Sequence, residues 1–161
     1  MTRVGVLTVS TSRSAPGSAD EGGDELAAFA ARLGGEVVAR DAVSDERGAI
    51  EARLREWADG GACDLILTTG GTGVAPRDVT PEATSAVIER EVPGIAEAMR
   101  EASKPHTRHW MLARGIAGIR GRTLIVNFPG SPRSIAQSGE AIAAALPHAL
   151  ALLADQPTAH A

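Results

Sequence analysis

Leu65-Ile66-Leu67-Thr68-Thr69-Gly70-Gly71-Thr72-Gly73-Val74-Ala75-Pro76-Arg77-Asp78-Val79-Thr80-Pro81-Glu82 is the stretch that decides the fold of this chain. An apolar strand ends abruptly in a glycine loop, and the loop hands the chain to a helix start. Gly70, Gly71 and Gly73 can take positive φ and bring backbone N–H groups close to an oxyanion, while Thr68, Thr69 and Thr72 add hydroxyl donors. Arg77 and Asp78 supply a cation and a metal-ligating carboxylate. Thr80 is placed as the N-cap, Pro81 fits the first turn, and Glu82 is favoured by the dipole of the helix N-terminus. The stretch reads as a β-to-α junction that binds an anion.

The same junction recurs on either side of it. Val4 to Val9 is a buried strand that ends in Ser10-Thr11-Ser12-Arg13 and a Gly/Pro/Ser-rich loop. Leu26, Phe29, Ala30 and Leu33 then fall at i, i+3, i+4 and i+7, an amphipathic helix stopped by Gly34-Gly35. A second strand, Glu36 to Val43, leads to Ser44-Asp45-Glu46, which reads as the cap and acidic first turn of a helix carrying Ile50, Leu54 and Trp57 on one face. Beyond the glycine loop the pattern gives a helix from Pro81 to about Arg90 and another from Pro93 to Ala102. Two strands follow, Gly115 to Arg120 and Thr123 to Asn127, and then a helix capped by Ser131 with Pro132 at its first position and Pro147 as its breaker. Leu150 and Leu153 mark a last helix. The segment from Lys104 to Leu112 shows no clear period, and the predicted layout is one domain over 1–155 with a frayed tail over 156–161.

Strands alternating with amphipathic helices predict an α/β fold, a mostly parallel sheet covered on both faces. In such sheets a ligand sits beyond the carboxyl ends of the strands, where strand order reverses. Here those ends carry Ser10, Thr11, Arg13 and Asp20, then Asp45, then Thr69 to Asp78, then Pro129, Gly130, Ser131, Pro132 and Arg133. Three arginines with several carboxylates suit a phosphate held together with magnesium. Asp20, Asp45 and Asp78 are the carboxylates that could hold such an ion, although Asp45 reads more readily as part of a helix cap.

Composition removes several classes. A net charge of −4 over 161 residues gives no basic face for nucleic acid, and aromatics at 2% give no stacking platform. No apolar run is long enough for a membrane span and no signal peptide opens the chain, so a cytoplasmic protein is expected. The single cysteine, Cys63, opens an apolar run and reads as a core residue. The glycine loop lacks the Gly-Lys-Ser/Thr of a P-loop and the Gly-x-Gly-x-x-Gly of dinucleotide folds. His106 and His109 read as surface or subunit-contact residues, and His148 and His160 as solvated.

With these residues placed, the chain resembles the Mog and MoaB family of molybdenum-cofactor biosynthesis proteins. Thr68 to Gly73 with Arg77-Asp78-Val79-Thr80-Pro81-Glu82-Ala83-Thr84 looks like the family's signature loop, and Asn127-Phe128-Pro129-Gly130-Ser131-Pro132 like its second. Arg90-Glu91-Val92-Pro93-Gly94, Asp20 to Leu26 and Ser44-Asp45-Glu46 fit its pattern. The resemblance implies a three-layer α/β/α molybdopterin-binding fold, usually trimeric or hexameric. It also implies Mg2+-dependent transfer of AMP from ATP to the terminal phosphate of molybdopterin, with a molybdenum-insertion protein downstream. The family's two catalytic aspartates fall on Asp45 and Asp78, and its substrate contacts on Ser10, Thr11, Arg13, Asp20, Thr69, Gly70, Gly71, Thr72, Gly73, Arg77, Thr80 and Pro129 to Arg133. Two departures stand out: Thr11-Ser12-Arg13 replaces a Ser-Asp-Arg, and Arg133 stands where a lysine is common. A binding-only molybdopterin protein and, more remotely, an ADP-ribose-type pyrophosphatase are the alternatives.

Overall fold

The computed structural model describes residues 1–158; 159–161, and with them His160 and the end of the expected tail, lie outside the described residues. Six strands form one sheet in the order β2-β1-β3-β6-β5-β4. They are β1 (Arg3–Val9), β2 (Glu36–Val43), β3 (Leu65–Thr69), β4 (Arg90–Glu91), β5 (Ala117–Arg120) and β6 (Thr123–Phe128). The pairs β1/β2, β1/β3 and β3/β6 are parallel, and β5 is antiparallel to both β6 and β4. The chain runs from β1 outward to β2, then crosses back to place β3 on the other side of β1. Strand order therefore reverses between β1 and β3, and a crevice opens at their carboxyl ends.

The alternation of side chains along each strand feeds two cores. Val4, Val6, Leu65, Leu67, Leu124, Val126 and Phe128 face one layer, packed by α1 (Glu21–Arg32), α4 (Pro93–Ser103), α5 (Pro132–Ile142) and α6 (Leu146–Leu153). Leu7, Val9, Ile66 and Ile125 face the other, packed by α2 (Arg47–Asp59) and α3 (Thr80–Val87). The α/β/α layering expected from sequence is thus observed. Phe29 of α1 meets Phe128 of β6 with ring centroids 5.6 Å apart, a tilted pair that contributes about 1 kcal/mol beyond its buried area. Cys63 sits in the second core, where burial pushes its thiol up to about 11, so it is neutral at physiological pH. A thiol reagent is expected to modify it only after denaturation; rapid labelling of native protein would contradict its burial.

Several element boundaries differ from the sequence reading. α3 stops at Val87 rather than Arg90, because Glu89 N–H donates to Ile119 O and Val92 N–H to Ala117 O, which turns Arg90-Glu91 into an edge strand. Sheet hydrogen bonds outweigh helix propensity here, helped by Pro93, which disfavours a helical Val92. Thr80 is the first residue of α3, not its cap; the cap is Val79, and the Thr80 hydroxyl donates to Gly70 O at 2.9 Å. α2 is capped by Glu46 without a side-chain bond, so Ser44-Asp45 lie before the helix. α5 ends at Ile142, and Pro147 opens α6 instead of breaking α5, as its missing N–H costs nothing in a first turn. Asp20, which reads as a loop residue, caps α1 by accepting from Gly23 N–H. Ser131 caps α5 as expected, accepting from Ser134 N–H.

Charge pairs tie the far end of the sheet. Arg3 donates two side-chain bonds to Asp64 and holds its carboxyl below the usual range against the opposing effect of burial; Arg120 does the same for Asp59. A lowered folded-state pKa adds stability above the ordinary carboxylate value near 4, and that increment is lost as pH falls through the folded value. Asp64→Asn is accordingly expected to melt earlier than wild type at pH 7 and together with it near pH 2. A gap that persists in acid would assign the effect to something other than this charge.

Candidate active site

The crevice between β1 and β3 is a cleft of about 210 Å3 lined by Thr8, Ser10, Arg13, Asp20, Asp45, Thr69, Gly70, Gly71, Arg77, Asp78 and Gly130, with Val9 and Gly22 behind them. Each strand end contributes as expected: β1 gives Ser10 and Arg13, β2 gives Asp45, β3 gives the glycine loop, and β6 gives Gly130. Residues as distant in sequence as Ser10 and Gly130 meet because parallel strands send every β-to-α turn out at the same edge.

The glycine loop is built from close approaches. Gly70 and Gly71 hold φ of +93° and +68°, and a Cβ on Gly70 would overlap the carbonyl oxygen of Val9. Gly70 N–H does not point at a ligand, as the sequence suggested, but donates to Phe128 O at 3.3 Å and joins β3 to β6. Gly73 has no positive φ. It is small for another reason: a Cβ there would stand 2.9 Å from Asp78 Oδ2, so the glycine makes room for that carboxylate. Asp78 Oδ2 in turn accepts from Ala75 N–H at 3.0 Å, which fixes the side chain over its own loop.

Asp45 is held in an analogous way. Its Oδ2 accepts from Thr11 N–H at 2.9 Å and from the Thr11 hydroxyl at 3.0 Å, so the loop after β1 orients the carboxylate after β2. These bonds, not a helix cap, explain why Asp45 stands where it does. Asp20 has both oxygens engaged: Oδ1 by Gly23 N–H, and Oδ2 by the Thr8 hydroxyl at 2.7 Å and by Arg40 at 3.4 Å. Arg13 donates to Ala19 O at 2.6 Å, which closes its loop and leaves its guanidinium in the cleft wall.

Other residues expected at the site lie elsewhere. Thr80 is fully buried behind Gly70, and Arg133 is exposed on α5 outside the cleft lining. Ser131 spends its hydroxyl on the α5 cap, and Pro132 forms the first turn. Thr72 and Pro129 face a second cavity, of about 120 Å3, on the other side of the glycine loop. Its remaining walls include Met99, Arg100, Thr107, His109, Trp110 and Asn127. His109 therefore reaches a cavity, while His106 and His148 are exposed. Sequence reading missed this chamber because Trp110 lies in a short 3-10 turn, Trp110–Leu112, with no period to reveal it. A tryptophan in a chain so poor in aromatics was the available signal.

Among the described residues no group of three or more His, Cys, Asp or Glu side chains is placed to hold a metal. Magnesium keeps several waters and is bound through one or two carboxylates together with substrate phosphates. Asp45 and Asp78, each anchored through Oδ2, supply hard oxygen donors of that kind on one cleft.

A family model described as "Probable molybdopterin binding domain" matches residues 5–148. The chain belongs to this molybdopterin-binding domain family. Among solved structures, the molybdopterin biosynthesis enzyme MoaB of Thermus thermophilus is 48% identical, with a TM-score of 0.90 over 98% of this chain and 99% of that one. The molybdopterin adenylyltransferase of Helicobacter pylori is 46% identical over 111 residues, 69% of this chain and 63% of that protein. The molybdenum cofactor synthesis protein cinnamon of Drosophila melanogaster is 46% identical over 113 residues, 70% of this chain and 19% of its own length. The chain thus spans less than two thirds of either curated relative. The family's fold, with its mostly parallel sheet, is the one the glycine-loop junction predicts.

Proposed function

We propose that this chain is a molybdopterin adenylyltransferase of molybdenum cofactor biosynthesis, which moves AMP from ATP to the terminal phosphate of molybdopterin and releases pyrophosphate. The observation that carries this reading is the convergence of Asp45, Asp78, Arg13 and Arg77 on one cleft at the β1/β3 switch point, in a family whose relatives carry that activity by name. A phosphate monoester is an anionic nucleophile at neutral pH and needs no strong general base. One of its oxygens forms a bond to the α-phosphorus of ATP, and the bond from that phosphorus to the bridging oxygen of the β-phosphate breaks. The electron pair leaves with pyrophosphate.

The residues of the chain have separable tasks in that exchange. Arg13 and Arg77 bind the anionic oxygens, and Gly70 and Gly71 line the same cleft without side chains to obstruct it. Asp45 and Asp78 would hold Mg2+, which neutralises charge on the phosphates when bound. The phosphates belong to the cleft with the two arginines, and the cavity of about 120 Å3 on the other side of the glycine loop is the place for a ring. The cavity behind Thr72 and Pro129 fits a planar ring system, with Met99 as apolar wall and Asn127, Thr107 and Trp110 as polar or aromatic partners.

A binding-only protein is the competing reading. Pyrophosphate release by purified protein with ATP, magnesium and molybdopterin separates the two. Release that requires all three supports transfer; tight pterin binding without release overturns it.

A further inference from the structure

The loop that carries Arg77 and Asp78 is held from behind by one side chain outside the cleft. Arg114, in the segment before β5, donates from Nε to Gly73 O at 2.7 Å and from Nη2 to Asp78 O at 2.8 Å. Its Nη1 donates to both carboxylate oxygens of Glu82 in the first turn of α3, at 2.9 and 3.1 Å. Arg114 N–H also donates to Thr72 O at 2.8 Å. One guanidinium thus grips the carbonyl before the loop, the carbonyl at its end and the helix that follows. Arg114 is itself fixed from the other side, because Arg100 Nη1 donates to the flanking carbonyls of Ala113 at 3.4 Å and Gly115 at 3.1 Å.

We infer that Arg114 is a positioning residue for adenylyl transfer, setting the place of the Asp78 carboxylate by clamping Gly73 and Asp78 at both ends of their loop. It lines neither the cleft nor the cavity behind Thr72 and Pro129, and so it acts through Asp78. The planar fork is what the geometry needs. A lysine carries the charge to Glu82 but cannot span two divergent carbonyls at once. Displacing a reacting group by about 1 Å costs roughly 10²-fold in rate, which sets the expected scale.

The kinetic part of this inference rests on the transferase reading, and the structural part does not. In Arg114→Ala, hydrogen exchange at the Ala75 and Asp78 amides is expected to accelerate at least about tenfold, with β1 and β3 amides unchanged. Turnover is expected to fall about 10²-fold in wild-type background and less than about 3-fold in Asp78→Asn, the non-additivity of residues that act as a unit. Arg114→Lys should fall between wild type and alanine in both measurements, and it serves as the test if the alanine variant does not fold. Unchanged loop exchange in either variant, or losses that simply multiply with Asp78→Asn, would overturn the clamp. Faster loop exchange in the variants of a protein that never releases pyrophosphate would instead uphold the clamp and overturn the transferase.

Discussion

Asp78→Ala is expected to lower pyrophosphate release by about 10²- to 10³-fold, the usual loss when one charge-stabilising contact is removed from phosphoryl or acyl transfer. The melting temperature should stay within about 2 °C of wild type, because the side chain is half-exposed and bonds only within its own loop. The physical reason for the asymmetry is location. Asp78 contributes nothing to either core, yet it presents a carboxylate to the cleft at a place fixed by Ala75 N–H, by the space left at Gly73 and by the Arg114 clamp. A steady-state assay beside a thermal melt checks both halves. A variant with near-normal turnover would remove Asp78 from the mechanism.

Gly70→Ala carries the largest expected structural effect. The residue holds φ of +93°, and its added Cβ would collide with backbone, the Val9 carbonyl, which cannot swing away as a side chain would. Strain of this kind together with overlap costs on the order of 3 kcal/mol, a drop of about 6 to 12 °C for a chain of this size. Gly34→Ala is the control: its φ is +76° with nothing within 4 Å of the added carbon, so only conformational strain, about 1 kcal/mol, remains. Differential scanning calorimetry of the two variants is sufficient. Equal melting temperatures would mean that β1 and the glycine loop are not in the close contact that shapes the cleft.

The sequence was most legible where local signals and fold-level geometry agree. Glycine and threonine after Leu65-Ile66-Leu67 announced a β-to-α junction, and the doubly covered sheet then required the loops after β1, β2, β3 and β6 to emerge at one edge. Asp45, Asp78, Arg13 and Arg77 do meet there. What local pattern could not show is which neighbour uses each polar group. Thr80 looked like a cap, but its hydroxyl serves Gly70 O across a loop closure of ten residues. Asp45 looked like a first-turn acid and is bonded to Thr11, 34 residues earlier. Arg133, exposed on α5, shows that adjacency to a signature loop does not bring a side chain into the cleft. Arg114 was invisible for the same reason, since its partners Gly73, Asp78 and Glu82 are brought to it only by the packing of α3 beside the strands.

Transfer of an adenylyl group by the cleft is tested most directly by the fate of the α-phosphorus. Protein, magnesium and molybdopterin are incubated in parallel with ATP labelled at the α- or the γ-phosphate, and the label on the pterin is counted. The α-label is expected on molybdopterin in step with pyrophosphate release, and the γ-label is not. Transfer of the γ-label, or bound molybdopterin that acquires neither, would contradict adenylyl transfer.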